Sequence, residues 1–273
     1  MTPRSRWLWL IPIGVALLTA LPASACPADL DDDDVVGFTD LLTVLSAWGP
    51  CPGCVADLDG SGDVGFTDLL TVLSAWGPCL FEYGPVRDNP EAEQIGLEML
   101  GPGGALVLDD TRYERIDRDL GLIRKAEPGL AGEIHTPAWA PNRIIVRRVA
   151  GADLEAYDAL NAFFQITDED HLFSDWYVLS FPGNLNIPAL ALVYTDLDAI
   201  DLAEPDGLIG GSNTYAPSGR PGETWRWNID DGFHDCFDGC DCHRLYVIDV
   251  TADGSVSTVS YDEVGAAWCD FGP

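Results

Sequence analysis

The chain has 273 residues, of which 47% are hydrophobic, so it has enough apolar material for folded domains and is not a disordered tail. It carries 45 Asp and Glu residues against 14 Lys and Arg residues, which gives a formal net charge of −31 at pH 7. Because so acidic a surface repels nucleic acid and anionic lipid, we expect neither as a partner.

The N-terminal segment has the composition of a cleaved secretory signal. Arg4 and Arg6 precede the apolar stretch WLWLIPIGVALLTALP, and the small residues ASA stand just before Cys26. This order predicts a signal peptide over residues 1–25 and a secreted or cell-surface chain that begins at Cys26, with no membrane span after cleavage. Two alternatives are a membrane anchor, for which the stretch is at the short limit, and lipid attachment at Cys26, for which Ala23 is a poor fit.

The next part of the chain contains one unit twice. Residues 26–51 read CPADLDDDDVVGFTDLLTVLSAWGPC, and residues 54–79 read CVADLDGSGDVGFTDLLTVLSAWGPC. Of the 26 aligned positions 21 are identical, and four of the five differences fall at residues 32–35 against 60–63. The variation is therefore concentrated in one acidic loop.

Oxygen-bearing groups in the second copy follow the spacing of a twelve-residue calcium loop. Positions one, three, five, seven and twelve supply, in that order, Asp57, Asp59, Ser61, the carbonyl of Asp63, and Asp68. Gly62 occupies position six, where such a loop bends sharply. Hard oxygen ligands at this spacing wrap a calcium ion, so the sequence predicts a calcium site.

The first copy offers the same site with one carboxylate more. Its ligands are Asp29, Asp31, Asp33, the carbonyl of Val35, and Asp40. Asp34 replaces the glycine of position six, and Asp tolerates the left-handed conformation better than most residues. Position nine is Gly37 or Gly65, which leaves that coordination site to water. The two loops together predict two calcium ions.

Each loop is followed by FTDLLTVLSAW, a sequence with helical periodicity. In the first copy Leu41, Val44, Leu45 and Trp48 fall at helical spacing and predict an apolar stripe. One loop and one helix cannot bury such a stripe alone, so we expect the two copies to form one core.

These tandem units resemble the dockerin repeat over residues 26–80. The resemblance implies a small all-α, EF-hand-type module in which two loop–helix halves pack antiparallel. It also implies a protein partner, a cohesin-like module or another surface protein, that docks through loop positions ten and eleven and the following helix. In this chain those positions are Phe38, Thr39, Phe66 and Thr67. The alternative is that both Phe side chains fold under and pack in the core.

Eight cysteines in an exported chain predict disulfides rather than free thiols. They are Cys26, Cys51, Cys54, Cys79, Cys236, Cys240, Cys242 and Cys269. If the two helices are antiparallel, Cys51 meets Cys54, while Cys26 meets Cys79 and joins the ends of the module. Pairing within each copy respects the repeat equally well, and the sequence does not choose between the two.

Residues 81–103, with EYGPVRDNPE and GPGG, are predicted as a linker to a second domain over residues 104–207. RIIVRRVAGADLEAYDALNAFF, WYVLSFPG and LDAIDLAEPDG make residues 143–207 similar to the subtilase propeptide inhibitor family. The apolar pattern, with a further short strand around residues 165–173, predicts the element order βαββαβ, and the resemblance implies an α+β, ferredoxin-like domain. In that family the segment after the last strand enters the cleft of a subtilisin-like protease, which implies an inhibitory role here for Leu208 and Ile209.

Residues 208–273 are predicted as a disulfide-rich β-hairpin extension. Alternation on both sides of Asp253 and Gly254 indicates the hairpin. The alternative to two disulfides in this region is a zinc site that combines cysteines with His234 and His243. Export of the chain favours the disulfides.

As a whole, the sequence predicts a multidomain, secreted, calcium-binding protein with a docking role and no enzymatic activity. Its expected fold class is a small all-α dockerin-like module followed by an α+β ferredoxin-like domain with the hairpin extension. The alternatives are a secreted protease inhibitor or orphan propeptide of the subtilase type, and an unrecognised hydrolase of polysaccharide breakdown. Trp225 and Trp227 are candidates for sugar stacking or, more simply, for core packing.

Overall fold

The structure, a computed structural model of the chain, describes residues 26–33, 35–208, 213–220, 222–234, 236 and 239–269. The predicted signal peptide lies outside these residues. The described part of the chain has six α-helices, one 3-10 helix and four small antiparallel sheets, and none of its helices is long and apolar enough to cross a bilayer. It is a mixed α/β protein, so the expected fold class, with its all-α first module, is wrong.

The repeated unit, residues 26–80, is called here the repeat module, and it contains strands as well as helices. Its elements are β1 (Val35–Val36), α1 (Phe38–Ser46), β2 (Gly49–Pro50), β3 (Asp63–Val64), α2 (Phe66–Ser74) and β4 (Gly77–Pro78). β1 pairs antiparallel with β4, and β2 with β3, so the exit of each loop pairs with the Gly-Pro segment that follows the other helix. Gly49 and Gly77 adopt positive φ angles of 111° and 131°, which glycine takes without strain. The all-α prediction failed because a two-residue strand has no period-two pattern.

Small side chains form the core of the repeat module. The buried hydrophobic residues are Ala28, Val36, Val44, Ala56, Val64, Val72 and Cys79. Apart from Cys79, they are three pairs of equivalent positions in the two copies. The two copies therefore contribute equally to one core. Its fully buried side chains are no larger than Val, and Leu30, Leu41, Leu58 and Leu69 pack against them partly buried.

The predicted linker, residues 81–103, contains a packed helix, α3 (Pro90–Leu100). The Asn89 side chain caps it by accepting hydrogen bonds from backbone N–H groups of the first turn. Ile95 packs in one hydrophobic cluster and Leu97 in the other, so α3 connects the two cores of the part of the chain that follows the repeat module. This part, the described residues from 81 onward, is called the body.

The first sheet of the body combines four strands with two helices. Its elements are β5 (Trp139–Arg148), α5 (Glu155–Phe163), β6 (Asp168–Phe173), β7 (Trp176–Ser180), α6 (Ile187–Thr195) and β8 (Ile200–Gly207). The strands lie in the order β6-β7-β5-β8, and all neighbours are antiparallel. This element order is the βαββαβ order that the apolar pattern predicted. Ile144, Val146, Phe164, Leu190 and Tyr194 lie in its core.

The hairpin predicted around Asp253 and Gly254 is present, and it belongs to a second four-stranded sheet. Its strands are β9 (Thr214–Ser218), β10 (Trp225–Phe233), β11 (Cys242–Val250) and β12 (Val256–Gly265), in the order β12-β11-β10-β9. Helix α4 (Asp110–Ala126) packs against it through Ile116 and Leu120. Trp225 and Trp227 are 1% and 0% exposed in the same cluster, so they belong to the core and cannot stack on a sugar.

All eight cysteines are paired. The bridges are Cys26–Cys79, Cys51–Cys54, Cys236–Cys240 and Cys242–Cys269. The prediction of disulfides is confirmed, and of the two repeat pairings the structure has the one that joins the ends of the module. The zinc alternative is excluded because no thiol is free and because both ring nitrogens of His243 are used, by Asp230 at 2.7 Å and by the Cys240 carbonyl at 2.8 Å.

Candidate metal centre and docking surface

A buried carboxylate at position twelve organises each loop. Asp40 is 1% exposed, and its Oδ1 accepts the N–H groups of Leu30 and Asp31 at 2.6 and 3.3 Å. Its Oδ2 accepts the N–H of Gly37 at 2.7 Å. Asp68 repeats these bonds with the equivalent residues of the second copy, at 2.8, 3.2 and 2.7 Å. Each of these carboxylates ties the start of its loop to the start of the following helix.

The surroundings of these two residues keep them ionised. Burial raises the pKa of Asp40, but the N–H groups of Gly37, Leu30 and Asp31 together outweigh burial and hold the pKa below its ordinary value. The N–H of Gly65 has the largest effect on Asp68 and lowers its pKa against the opposing effect of burial. Both side chains are therefore carboxylates at neutral pH, the form that binds a hard cation.

Three of the predicted ligands come together in each loop. Asp29, Asp31 and Asp40 have carboxylate oxygens within 4.8 Å of one another, as do those of the equivalent set Asp57, Asp59 and Asp68. These are the two groups among the described residues that could hold a metal ion, and both consist of oxygen donors alone. Oxygen donors suit calcium or magnesium and not zinc.

The remaining predicted ligands lie beside these groups, in the exposed part of each loop. Asp33 accepts the N–H of Val35 at 2.9 Å, and it is not part of the first group. In the second loop the Ser61 hydroxyl donates to the Asp63 carbonyl at 2.9 Å. In the second loop the predicted ligands at positions five and seven are thus bonded to each other, whereas in the first loop the position-five carboxylate accepts the N–H of position seven and does not contact its carbonyl by a hydrogen bond.

Negative charge is crowded in the first loop. Partial desolvation raises the pKa of Asp31, and the charges of Asp33, Asp40 and Asp29 raise it further. A divalent cation among these carboxylates would relieve their repulsion. The electrostatics of the loop therefore favour cation binding independently of the ligand spacing.

The backbone has the same conformation at position four of both loops. Asp32 has φ of +58°, and its equivalent Gly60 has φ of +70°. Gly62, at position six, has φ of +90°, as its predicted role in the bend requires, while residue 34 lies outside the described residues. The first loop adopts a left-handed turn with an aspartate where the second has a glycine.

Two hydrophobic stripes lie exposed on helices α1 and α2 and just beyond their C-terminal ends. Phe38 and Phe66 are 65% and 67% exposed, which excludes the alternative that they pack in the core. The stripes consist of Phe38, Leu42, Leu45 and Trp48 and of Phe66, Leu70, Leu73 and Trp76, each side chain about half exposed or more. Thr39 and Thr67 are also exposed. The predicted stripe was partly wrong, because Val44 is buried while Leu45 and Trp48 face outward.

The repeat module is attached directly to the body. Only Leu80 separates the bridged Cys79 from Phe81, whose N–H donates to the Phe163 carbonyl at 2.8 Å. The Tyr83 hydroxyl donates to the Phe164 carbonyl at 2.6 Å. The connection between the two regions is therefore a single residue and not the predicted linker.

The segment predicted to be inhibitory connects two strands. Leu208 is 49% exposed, and its N–H donates to the Ala138 carbonyl at 3.3 Å. At the other end of the segment the Asn213 carbonyl accepts the N–H of Thr136 at 2.7 Å. Ile209 lies outside the described residues. Because both ends are fixed to the same stretch of chain, the segment is not a free tail.

Comparison with protein-family models, with curated proteins and with solved structures gives no match for this chain. The resemblances to dockerins and to subtilase propeptides accordingly rest on this sequence alone and stay predictions. The functional argument depends on the geometry of the two loops and on the surface next to them.

Proposed function

We propose that this chain is a secreted calcium-binding protein whose repeat module holds one calcium ion in each loop and presents a surface for a protein partner. The observation that carries the proposal is the pair of carboxylate triplets, each organised by a buried position-twelve Asp that fixes the loop to a helix. The four disulfides are compatible with an oxidising, extracellular location.

The charge of the repeat module supports calcium as the ligand. Residues 26–80 contain ten Asp residues and no Glu, Lys, Arg or His. No cationic side chain of the module can neutralise them, and two bound divalent ions would reduce the net charge from −10 to −6. Flexible loops rich in carboxylate and carbonyl oxygens suit calcium better than magnesium, which demands strict octahedral geometry.

The exposed stripes support a docking role. An aromatic side chain at each end of a helix, with Leu between, is a surface that water solvates poorly. The stripes lie on the helices that follow the acidic loops, so the proposed partner has an apolar surface with basic residues at its rim. A cohesin-like module is the first partner to test.

Calcium binding is tested by isothermal titration calorimetry on the full secreted chain. We expect two sites in the wild type and one in Asp57→Ala, because the first ligand of the second loop is lost. Asp29→Ala is the matched variant of the first loop, and Asp170→Ala, on the exposed strand β6, should keep both sites. No bound calcium in the wild type at millimolar concentration would contradict the proposal.

Docking is tested with purified cohesin-like modules in surface plasmon resonance, in calcium and in EDTA. We expect calcium-dependent binding that the double substitution Phe38→Asp, Phe66→Asp removes without changing calcium stoichiometry. Leu172→Asp, which changes an exposed apolar residue of the body, is the control. Equal binding by the double variant and the wild type would exclude the stripes as the docking surface.

Protease inhibition is not part of the proposal. The segment at Leu208 is held at both ends, and a cleft-binding tail needs freedom to extend. No enzymatic activity is proposed either.

A further inference from the structure

The turn between the two copies carries a disulfide with unusually local connectivity. Cys51 and Cys54 enclose only Pro52 and Gly53, both exposed, and the two cysteines are themselves partly exposed. The other bridge of the repeat module, Cys26–Cys79, spans 53 positions, and Cys79 is 5% exposed. Solvent and a small thiol therefore reach the Cys51–Cys54 bridge more easily.

Backbone hydrogen bonds connect this bridge to the second loop. The Cys54 carbonyl accepts the N–H of Asp57, the first predicted ligand, at 3.1 Å. The Cys51 N–H donates to the Gly62 carbonyl at 2.9 Å, and the Gly62 N–H donates to Oδ2 of Asp57 at 2.9 Å. The disulfide thus holds the Cys54 carbonyl and the Cys51 N–H in place. Through the hydrogen bonds just described, these two groups fix the position of the Asp57 carboxylate.

We propose that Cys51–Cys54 is a thiol–disulfide exchange site through which an external dithiol lowers the calcium affinity of the second loop and leaves that of the first loop unchanged. The inference rests on the proposed calcium function. Two cysteines separated by two residues are the arrangement in which a dithiol and a disulfide interconvert within one turn, without large movement of the chain.

The external dithiol supplies the electrons and the protons for this exchange. A thiolate of the dithiol attacks one sulfur of the bridge, forms a mixed disulfide and releases the other cysteine as a thiolate. The second thiol of the reagent then closes its own disulfide and releases the remaining cysteine. Two electrons pass from the reagent to Cys51 and Cys54, and the two protons of the dithiol end on their sulfurs.

The first loop is expected to respond differently although it has an equivalent bridge. The Asp29 N–H donates to the Cys26 carbonyl at 3.0 Å, as Asp57 does to Cys54. Cys26 belongs to the bridge that joins the two ends of the module, and its partner Cys79 is buried. By thermodynamic reciprocity, calcium in the second loop must make Cys51–Cys54 harder to reduce by the same factor as reduction weakens calcium binding.

The first test is a reductive titration of the full chain with dithiothreitol, with thiol alkylation and mass spectrometry at each step. We expect Cys51 and Cys54 to be alkylated before Cys26 and Cys79, and one calcium site to weaken by about tenfold. Cys236–Cys240 is the internal control, because it is also a short bridge but belongs to the body and not to the repeat module. Loss of both calcium sites together, or alkylation of Cys26 and Cys79 first, would overturn the proposal.

The second test is calorimetry on the double variant Cys51→Ser, Cys54→Ser, with Cys236→Ser, Cys240→Ser as the matched control. We expect the first variant to reproduce the weakened second site and the control to keep both sites. If the first variant does not fold, the reductive titration decides. Wild-type affinity at both sites in a folded variant overturns this inference and leaves the calcium function standing, whereas an oxidised wild type that binds no calcium overturns both.

Discussion

Different interactions stabilise the repeat module and the body. No buried hydrophobic side chain of the described module is larger than Val, whereas the body buries Trp225, Trp227, Tyr157, Tyr194 and Phe164 almost completely. Burial contributes roughly 25 cal/mol per Å² of apolar surface, so the module gains far less from packing. A small domain of this kind depends on cross-links and bound ions, and the module has two bridges and two candidate ion sites.

The two regions also differ in how their carboxylates are neutralised. In the body, carboxylates pair with arginines: Arg115 and Arg118 both contact Asp119, which is fully buried, at 2.8 and 2.9 Å. The module has no cationic side chain, and its carboxylates face one another. The body carries its counter-charges in its own sequence, and the module has to take them from solution.

The largest expected difference appears on removal of calcium. We expect EDTA to unfold the repeat module and to leave the body folded. Without calcium the carboxylates within each loop repel one another, and the small core does not offset this repulsion. Hydrogen–deuterium exchange should show loss of protection in α1 and α2 and unchanged protection in α4 and α6. Calcium added in excess of the chelator is the control for reversibility. Equal protection of α1 with and without calcium would remove the distinction between the two regions.

A pair of tryptophan substitutions tests where packing matters. Trp227→Ala should lower the free energy of unfolding of the body by about 3–5 kcal/mol, because it empties a buried site. Trp48→Ala, at a site 52% exposed in the module, should change stability by no more than about 0.5 kcal/mol. Urea unfolding followed by circular dichroism measures both, and calcium titration of Trp227→Ala should still give two sites. A large effect of Trp48→Ala would show that the stripe is part of a core.

A smaller effect is expected from the turn at position four of the loops. Asp32→Gly should stabilise the calcium-loaded module by about 0.5 kcal/mol, since glycine adopts a φ of +58° without the strain of a Cβ atom. Gly60→Asp makes the opposite change in the second loop and should destabilise by a similar amount. Thermal unfolding in excess calcium gives both values. The reversed pattern, in which Asp32→Gly destabilises and Gly60→Asp stabilises, would show that attraction of the carboxylate to the ion, and not backbone conformation, dominates at this position.

An effect no larger than this is expected as a pH dependence of the body. The hydrogen bond to Asp230 is the largest influence on His243 and raises its pKa above 6.5 against partial burial. A raised pKa means that the ion pair contributes fully below about pH 6.5 and is lost as pH rises through the higher folded-state value. The loss should be about 0.5 kcal/mol, typical of a partly exposed pair.

Urea unfolding at pH 5.5 and 8.5 measures this change, and His243→Gln should remove it. The module contains no histidine, so its unfolding in calcium should not differ between these two pH values. An unchanged pH dependence in the variant would assign the effect to another group.

Local spacing in the sequence was sufficient to predict the two carboxylate triplets. The ligands of each loop lie within twelve consecutive residues, so their positions relative to one another depend little on the rest of the fold. The βαββαβ order of β5 to β8 was also predictable, since most of its strands and helices have apolar patterns, whereas the wholly exposed β6 was expected only because it completes the order. Pairing of all the cysteines followed from their even number and from the predicted export.

Features that depend on distant contacts were not predictable. The segment that contains Asn89 and Pro90 is predicted from its sequence as a linker, yet these two residues are the cap and the first position of helix α3. Only the packing of α3 in two hydrophobic clusters distinguishes a helix from a linker here. The pairing of β10 with β9 was missed for another reason, because the Pro-Gly dipeptide between them, at residues 221–222, is a local turn signal. The outward direction of Phe38 depends on how the two copies pack, which the repeat itself does not reveal.

The bridge between Cys26 and Cys79 has a mechanical consequence. A tensile force applied at residue 26 and resisted at Phe81 runs through the covalent bridge and Leu80, and it bypasses everything between the two cysteines. The loops and helices of the repeat module therefore bear no load while the bridge is intact. Reduction of this one bond would place the module in the path of the force and could release up to about 180 Å of extended chain.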